Sequence, residues 1–173
     1  MNSNIIRLSN VESENSYDMF YEIYKEYQNE LMSNSKTHWT ITSKKEIIKN
    51  IKKLCDKSKM SLIIYCDNKP VGLIVYQNVF WENIIYIEDI YVRPKYRRNK
   101  LATKVLENIT SLCNKDTVIF LFILKHNDLG KSFWNGVSKE LGWNETYDPR
   151  CTVISDDGKD TLNDCIKKVY RHG

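Results

Sequence analysis

Hydrophobic and polar positions divide the chain into alternating helical and extended stretches. Ile5 to Leu8 forms a short apolar strand pattern ended by Ser-Asn. From about Ser16, Tyr17, Phe20, Tyr21, Tyr24, Tyr27 and Leu31 recur at three and four, which predicts a helix. Ser33 to Ser43 is a polar loop. Ser43 and Glu46 then form a capping box ahead of Ile47, Ile48, Ile51 and Leu54, predicting a second helix. Ser61–Cys66, Val71–Phe80 and Ile84–Val92 are β-rich runs separated by the turns Asp67–Pro70 and Trp81–Asn83, an antiparallel meander. After a basic turn the pattern becomes helical again through Leu106. Val118–Leu124 is apolar without alternation, as expected of a strand buried on both faces beside a parallel neighbour. Asn127 or Asp128 can cap a helix lined by Phe133, Trp134, Val137 and Leu141 and ended by Gly142. Beyond Asn144 the pattern predicts a last strand at Cys151–Ile154 and a terminal helix over Asp160–Tyr170.

Composition adds bounds to this picture. A chain of 173 residues with 42% hydrophobic and 12% aromatic content is expected to form a single domain, residues 1–173, with a core that needs no staples. Mean hydropathy of −0.50 and the lack of any apolar run of spanning length argue against membrane insertion. The start, MNSNIIRLSN, lacks the basic and then apolar pattern of a secretion signal, so a cytoplasmic location is expected. Five scattered cysteines without a CxxC pair are expected to be reduced thiols, and three histidines without ligand spacing give no reason to expect a metal. The net charge of +4 is unevenly spread, because Arg93, Lys95, Arg97, Arg98 and Lys100 fall within eight residues. That density favours an anionic ligand.

Two features of the stretch Ile84–Leu106 carry chemistry. A basic turn stands where a helix begins, and helix N-termini offer unpartnered N–H groups and a favourable dipole to a phosphate. The same turn on a solvated face, or on nucleic acid, is the plainer alternative. Nucleic acid is disfavoured because Asp18, Glu22, Glu26 and Glu30 follow at i+4 as an acidic stripe, itself either a solvated face or a wall for a cationic substrate. The second feature is the adjacent pair Glu88 and Asp89. Strand side chains alternate, so both acids share one face only if a bulge intervenes. Among Ile84, Ile85, Ile87 and Ile90, at least one is directed toward an apolar layer, where it must be paired, protonated or functional.

These residues resemble the GNAT superfamily of acetyl-CoA-dependent N-acetyltransferases. The family's pyrophosphate loop reads Arg/Gln-x-x-Gly-x-Gly/Ala after a strand ending in Val-x-Pro; this chain has Val92-Arg93-Pro94, then Arg97-x-x-Lys100-x-Ala102. The resemblance runs from about Ile5 to Trp143 and implies an α/β fold with a mixed, mostly antiparallel sheet flanked by helices. It implies that the amides of Arg97, Arg98, Asn99, Lys100, Leu101 and Ala102 hold the pyrophosphate. The strand edge at Ile90, Tyr91 and Val92 would pair with pantetheine, Asn127 would touch the same arm, and Trp134 would line it. Lys100 replaces the usual first glycine.

Within the superfamily, Ile85-Tyr86-Ile87-Glu88-Asp89-Ile90-Tyr91-Val92 is similar to the corresponding strand of the spermidine/spermine and thialysine acetyltransferase branch. That likeness assigns Glu88 as the water-linked base and turns both acids toward a cationic amine. A protonated amine near pKa ~10 cannot attack a thioester until a base takes its proton. Glu26 and Glu30 are candidate substrate contacts on the acidic stripe. The branch's thiolate-protonating Tyr is here Trp134, whose indole is no useful acid, leaving Tyr147 as a candidate substitute. The expected function is acetyl transfer from acetyl-CoA to a polyamine, diamine or lysine-like amine. An aminoglycoside or protein amine, or a catalytically impaired CoA-binding regulator, are the alternatives, and the family suggests a homodimer.

Overall fold

The computed structural model describes residues 6–34, 42–53, 59–79, 82–111, 113–151 and 165–171. Among these, seven strands form one sheet in the order β1-β2-β3-β4-β5-β7-β6. The strands are β1 (Ile6–Asn10), β2 (Lys59–Cys66), β3 (Lys69–Val79), β4 (Ile84–Val92), β5 (Val118–Leu124), β6 (Asn144–Glu145) and β7 (Cys165–Arg171). The helices are α1 (Glu14–Asn34), α2 (Lys44–Lys53), α3 (Leu101–Thr110) and α4 (Asp128–Glu140), with a 3₁₀ turn at Pro94–Tyr96. β4 and β5 are parallel and the other pairings antiparallel. This is the mixed, mostly antiparallel sheet flanked by helices that the sequence implies. No described helix is long and apolar enough to cross a membrane.

Strand alternation sends one set of side chains to each face. Ile64, Ile74, Ile85, Ile87 and Ile119 pack with Val105 and Leu106 of α3 and Trp134 and Val137 of α4. On the other face Ile63, Leu73, Val75 and Tyr91 meet Phe20 and Ile23 of α1 and Ile47 of α2. Each wholly buried Ile or Leu contributes about 1.5–3 kcal/mol of transfer free energy, so these two layers hold the helices in place. The capping box at α2 forms as the sequence predicts: Glu46 accepts from the Ser43 backbone N–H at 3.1 Å and from its hydroxyl at 2.9 Å.

The C-terminal expectation is corrected. Asp160–Tyr170 is not a helix where it is described; Cys165–Arg171 is β7, paired with β5 from Val118↔Arg171 to Leu124↔Cys165. The apolar run of β5 has β4 on only one edge, and its other row of backbone groups needs a partner. β7 supplies that row. Cys151 is buried and outside any strand, while residues 152–154 and the predicted loop at 35–41 lie outside the described residues.

Candidate active site

The site begins with a defect in strand pairing. β3 and β4 pair from Val79↔Ile84 to Tyr76↔Ile87 and resume at Val75↔Asp89, which leaves Glu88 as an extra residue. The apolar positions facing α3 and α4 therefore run Ile85, Ile87, then Ile90 and Val92. A regular strand would send Asp89 to the same side as Ile85 and Ile87. The bulge turns it to the α1 side beside Glu88, and both acids border a cavity of ≈ 190 Å³ with Tyr24, Tyr27, Phe122 and Asn127.

The two carboxylates meet different surroundings. Glu88 is ion-paired to Lys59 through Oε2 and accepts from Gln77 Nε2 through Oε1 at 2.5 Å. Among the described residues Asp89 has no ion-pair partner: it accepts from the Tyr24 hydroxyl at 3.3 Å and from that of Tyr27. Burial raises its pKa above the ordinary carboxylate range; the Tyr27 hydroxyl opposes this, the Glu88 charge adds to it, and the Tyr24 hydroxyl opposes it again. Burial and the Asp89 charge push both tyrosine phenols upward, so they stay protonated donors at neutral pH.

On the other side of the bulge a second, larger cleft opens. The parallel pairing of β4 with β5 ends at Ile87↔Leu121, and beyond it Ile90, Val92, Phe122 and Ile123 line a cleft of ≈ 570 Å³ instead of continuing the ladder. The cleft extends to the start of α3, where Arg98 and Lys100 adopt left-handed backbone angles with φ of 63° and 57°. Lys104 makes the first intrahelical bond, to Lys100 O at 3.0 Å, so the N–H groups of Leu101, Ala102 and Thr103 stand outside the helical ladder. In the first turn of α4, a Cβ on Gly130 would lie 2.6 Å from Asn127 Nδ2 and would displace the Asn127 side chain.

The remaining site candidates fall into place around these two cavities. Arg97 lines the cleft, but its guanidinium donates to Val92 O at 2.7 Å and pairs with Glu30 at 2.7 Å, while its own N–H goes to Pro94 O. Arg93 likewise holds Glu26 through a bidentate pair at 2.7 and 2.8 Å. Glu26 and Glu30 of the α1 stripe thus already carry a cation. Tyr91 also lines the cleft, with the Arg97 guanidinium over its ring and the Tyr27 ring tilted against it. Asn99 bonds back to Tyr96 O and borders neither cavity. Asn127 caps α4 by accepting from Gly130 N–H at 2.8 Å and borders both. Trp134 is buried in the cleft wall against Phe133. Tyr147 is 76% exposed, faces Lys167, and borders neither cavity.

Sequence reasoning missed Lys59 and Gln77, because only the register of β2, β3 and β4 brings them to Glu88. Tyr24 and Tyr27 were visible as an aromatic helix face, but nothing local showed that their hydroxyls meet Asp89.

A parallel strand pair that separates at a bulge, with amides outside the helical ladder at the next helix start, is the arrangement that the acetyl-CoA-dependent family named above leads one to expect. The chain belongs to the acetyltransferase (GNAT) family, whose model matches residues 17–135, and it is an acetyl-CoA-dependent N-acetyltransferase. Its fold is similar to the PaiA N-acetyltransferase of Thermoplasma acidophilum solved with coenzyme A (TM-score 0.67, 15% identity, covering 96% of this chain and 99% of that one). It is also similar to the diaminobutyrate acetyltransferase EctA of Paenibacillus lautus in complex with L-2,4-diaminobutyric acid and coenzyme A (TM-score 0.64, 14% identity, 98% and 96% covered). A third likeness is to RimL, a ribosomal L7/L12 α-N-protein acetyltransferase in complex with coenzyme A (TM-score 0.67, 13% identity, 98% and 95% covered). No curated protein matches the sequence.

The cleft fits acetyl-CoA. Its first-turn amides and the exposed Lys100 suit the pyrophosphate, and the β4 edge released from β5 suits the amides of pantetheine.

Proposed function

We propose that the protein acetylates the primary amine of a small cationic molecule, with the 190 Å³ cavity as the acceptor site. The observation that carries this is the bulge at Glu88, which sets Glu88 on the wall shared by the acceptor cavity and the cofactor cleft and Asp89 beside it in the acceptor cavity. The likeness of Ile85–Val92 to the spermidine/spermine and thialysine branch supports a cationic primary amine as the acceptor, without fixing how many ammonium groups it carries.

Bound in the larger cleft, acetyl-CoA supplies the activated acetyl thioester. Asp89 attracts the incoming ammonium and takes one proton from it, and burial, by raising its pKa from the ordinary carboxylate value, strengthens it as a proton acceptor. The Tyr24 and Tyr27 hydroxyls hold the carboxylate in place. Glu88, fixed by Lys59 and Gln77, keeps the bulge and its charge in position. The uncharged nitrogen then attacks the carbonyl carbon as the C–S bond breaks. Its second exchangeable proton ends on the sulfur, and the first passes from Asp89 to solvent. A thiol of pKa near ~8.5 is a competent leaving group without an enzymatic acid, so Tyr147 is not needed.

Thiol release from acetyl-CoA, followed over a panel of monoamines, diamines, polyamines, lysine-like amino acids, aminoglycosides and peptides, tests the assignment. Saturable release with small primary amines is expected. Release confined to aminoglycosides or peptides, or none with any amine, contradicts it.

A further inference from the structure

The acceptor cavity is bordered by two acids, and one of them already has its cation. Lys59 lies at the start of β2 and reaches across β3 to Glu88. Its register partner Gln77 occupies the other carboxylate oxygen. Neither residue borders either cavity, so both approach Glu88 from the β3 side while the cavity opens toward α1 and β5. The Lys59 and Glu88 side chains retain only 14% and 18% of their exposure, which marks a pair screened little by solvent.

The consequence is that, among the described residues, Asp89 is the one acid of the cavity without an ion-pair partner. Among the described residues no Lys, Arg or His borders it, and apart from Asp89 and Glu88 the described polar lining is neutral. Leu31, Met32, Phe122 and Leu124 form the apolar part. One ammonium meets Asp89, with Tyr24, Tyr27 and Phe122 among the cavity's lining residues. A second ammonium in the same cavity would lose its water and find no anion to replace it.

Resting on the reading of this cavity as the acceptor site, we infer that the preferred acceptor presents one ammonium followed by an apolar segment. Such an acceptor is a primary monoamine, and Lys59 sets this preference by acting through Glu88. The structure thus narrows the cationic amines expected from the sequence: α,ω-diamines and polyamines are the poorer substrates.

The test compares n-propylamine with 1,3-diaminopropane, and n-pentylamine with 1,5-diaminopentane, at saturating acetyl-CoA in the wild-type protein and in Lys59→Met. Wild type is expected to show at least about tenfold higher kcat/KM for the monoamine of each pair. In Lys59→Met the uncovered Glu88 accepts the second ammonium, and the ratio swings at least about tenfold toward the diamine, chiefly through the diamine KM. If an unpaired Glu88 prevents folding of that variant, Lys59→Gln keeps a hydrogen-bond donor at the carboxylate while removing the charge, and the same swing is expected. A merely structural role for Lys59 would change both amines alike. An unchanged ratio, or a wild type that favours diamines, overturns the inference and leaves the acceptor site standing. Absence of turnover with every amine in every protein, with CoA binding retained, overturns the acceptor site and the inference with it.

Discussion

At the scale of single residues, the adjacent acids of β4 have diverged in role through their neighbours. Glu88 is held by a cation, whereas Asp89 is held by neutral phenols and carries a raised pKa. That shift has a signed consequence. The folded state binds the Asp89 proton more tightly than the unfolded chain, whose value is near ~3.9, so its contribution to stability is greatest below that pH and is lost as pH rises through the folded value. Asp89→Asn, which still accepts from the tyrosines, is expected to melt higher than wild type at pH 7 to 8, with the gap closing toward pH 4. Thermal melts across that range check it, and a gap that widens toward acid contradicts the assignment. The identities of both acids were legible in the sequence. Their division was not, since it depends on Lys59, 29 positions away from Glu88 in the chain, arriving through strand register.

At the scale of elements, the β4 bulge and the entry to α3 shape two cavities from one strand-turn-helix unit. The turn was legible as a basic helix start, and strand alternation made clear that a bulge was needed for the acids to share a face. The destination of the basic side chains was less legible. Arg93 and Arg97 pin α1 to the turn through Glu26 and Glu30, so two of the five cations serve the scaffold. Lys100 takes a left-handed conformation that costs a non-glycine residue about 1–2 kcal/mol, and its ammonium reaches across the cleft mouth to Glu140 at 2.6 Å. This exposed pair contributes little to stability. It does hold a cation away from an incoming phosphate. Glu140→Gln is therefore expected to tighten CoA binding several-fold at low salt, fading by about 0.5 M salt as screening sets in. Calorimetric titration with CoA measures this, and unchanged or weaker binding contradicts it.

At the scale of the whole molecule, the order helix pair, meander, basic turn, helix, parallel strand and helix could be read from hydrophobic periodicity almost to Trp143. The C-terminal segment could not. Ile166, Val169 and Tyr170 fit helical spacing, and only the demand of β5 for a second backbone partner makes Cys165–Arg171 a strand. That strand completes the sheet on the side where Phe122 and Leu124 face the acceptor cavity, and Cys165 itself borders it. The central claim is that this sheet delivers Asp89 to a small amine beside bound acetyl-CoA. The most direct measurement is amine-dependent thiol release by wild type and Asp89→Asn, each shown by titration to bind CoA. Saturable release is expected in wild type and a loss of about 100-fold or more in the variant, within the usual span of general-base contributions, with CoA affinity unchanged. Equal rates in the two proteins, or a wild type that releases no thiol when small primary amines are added, would contradict it.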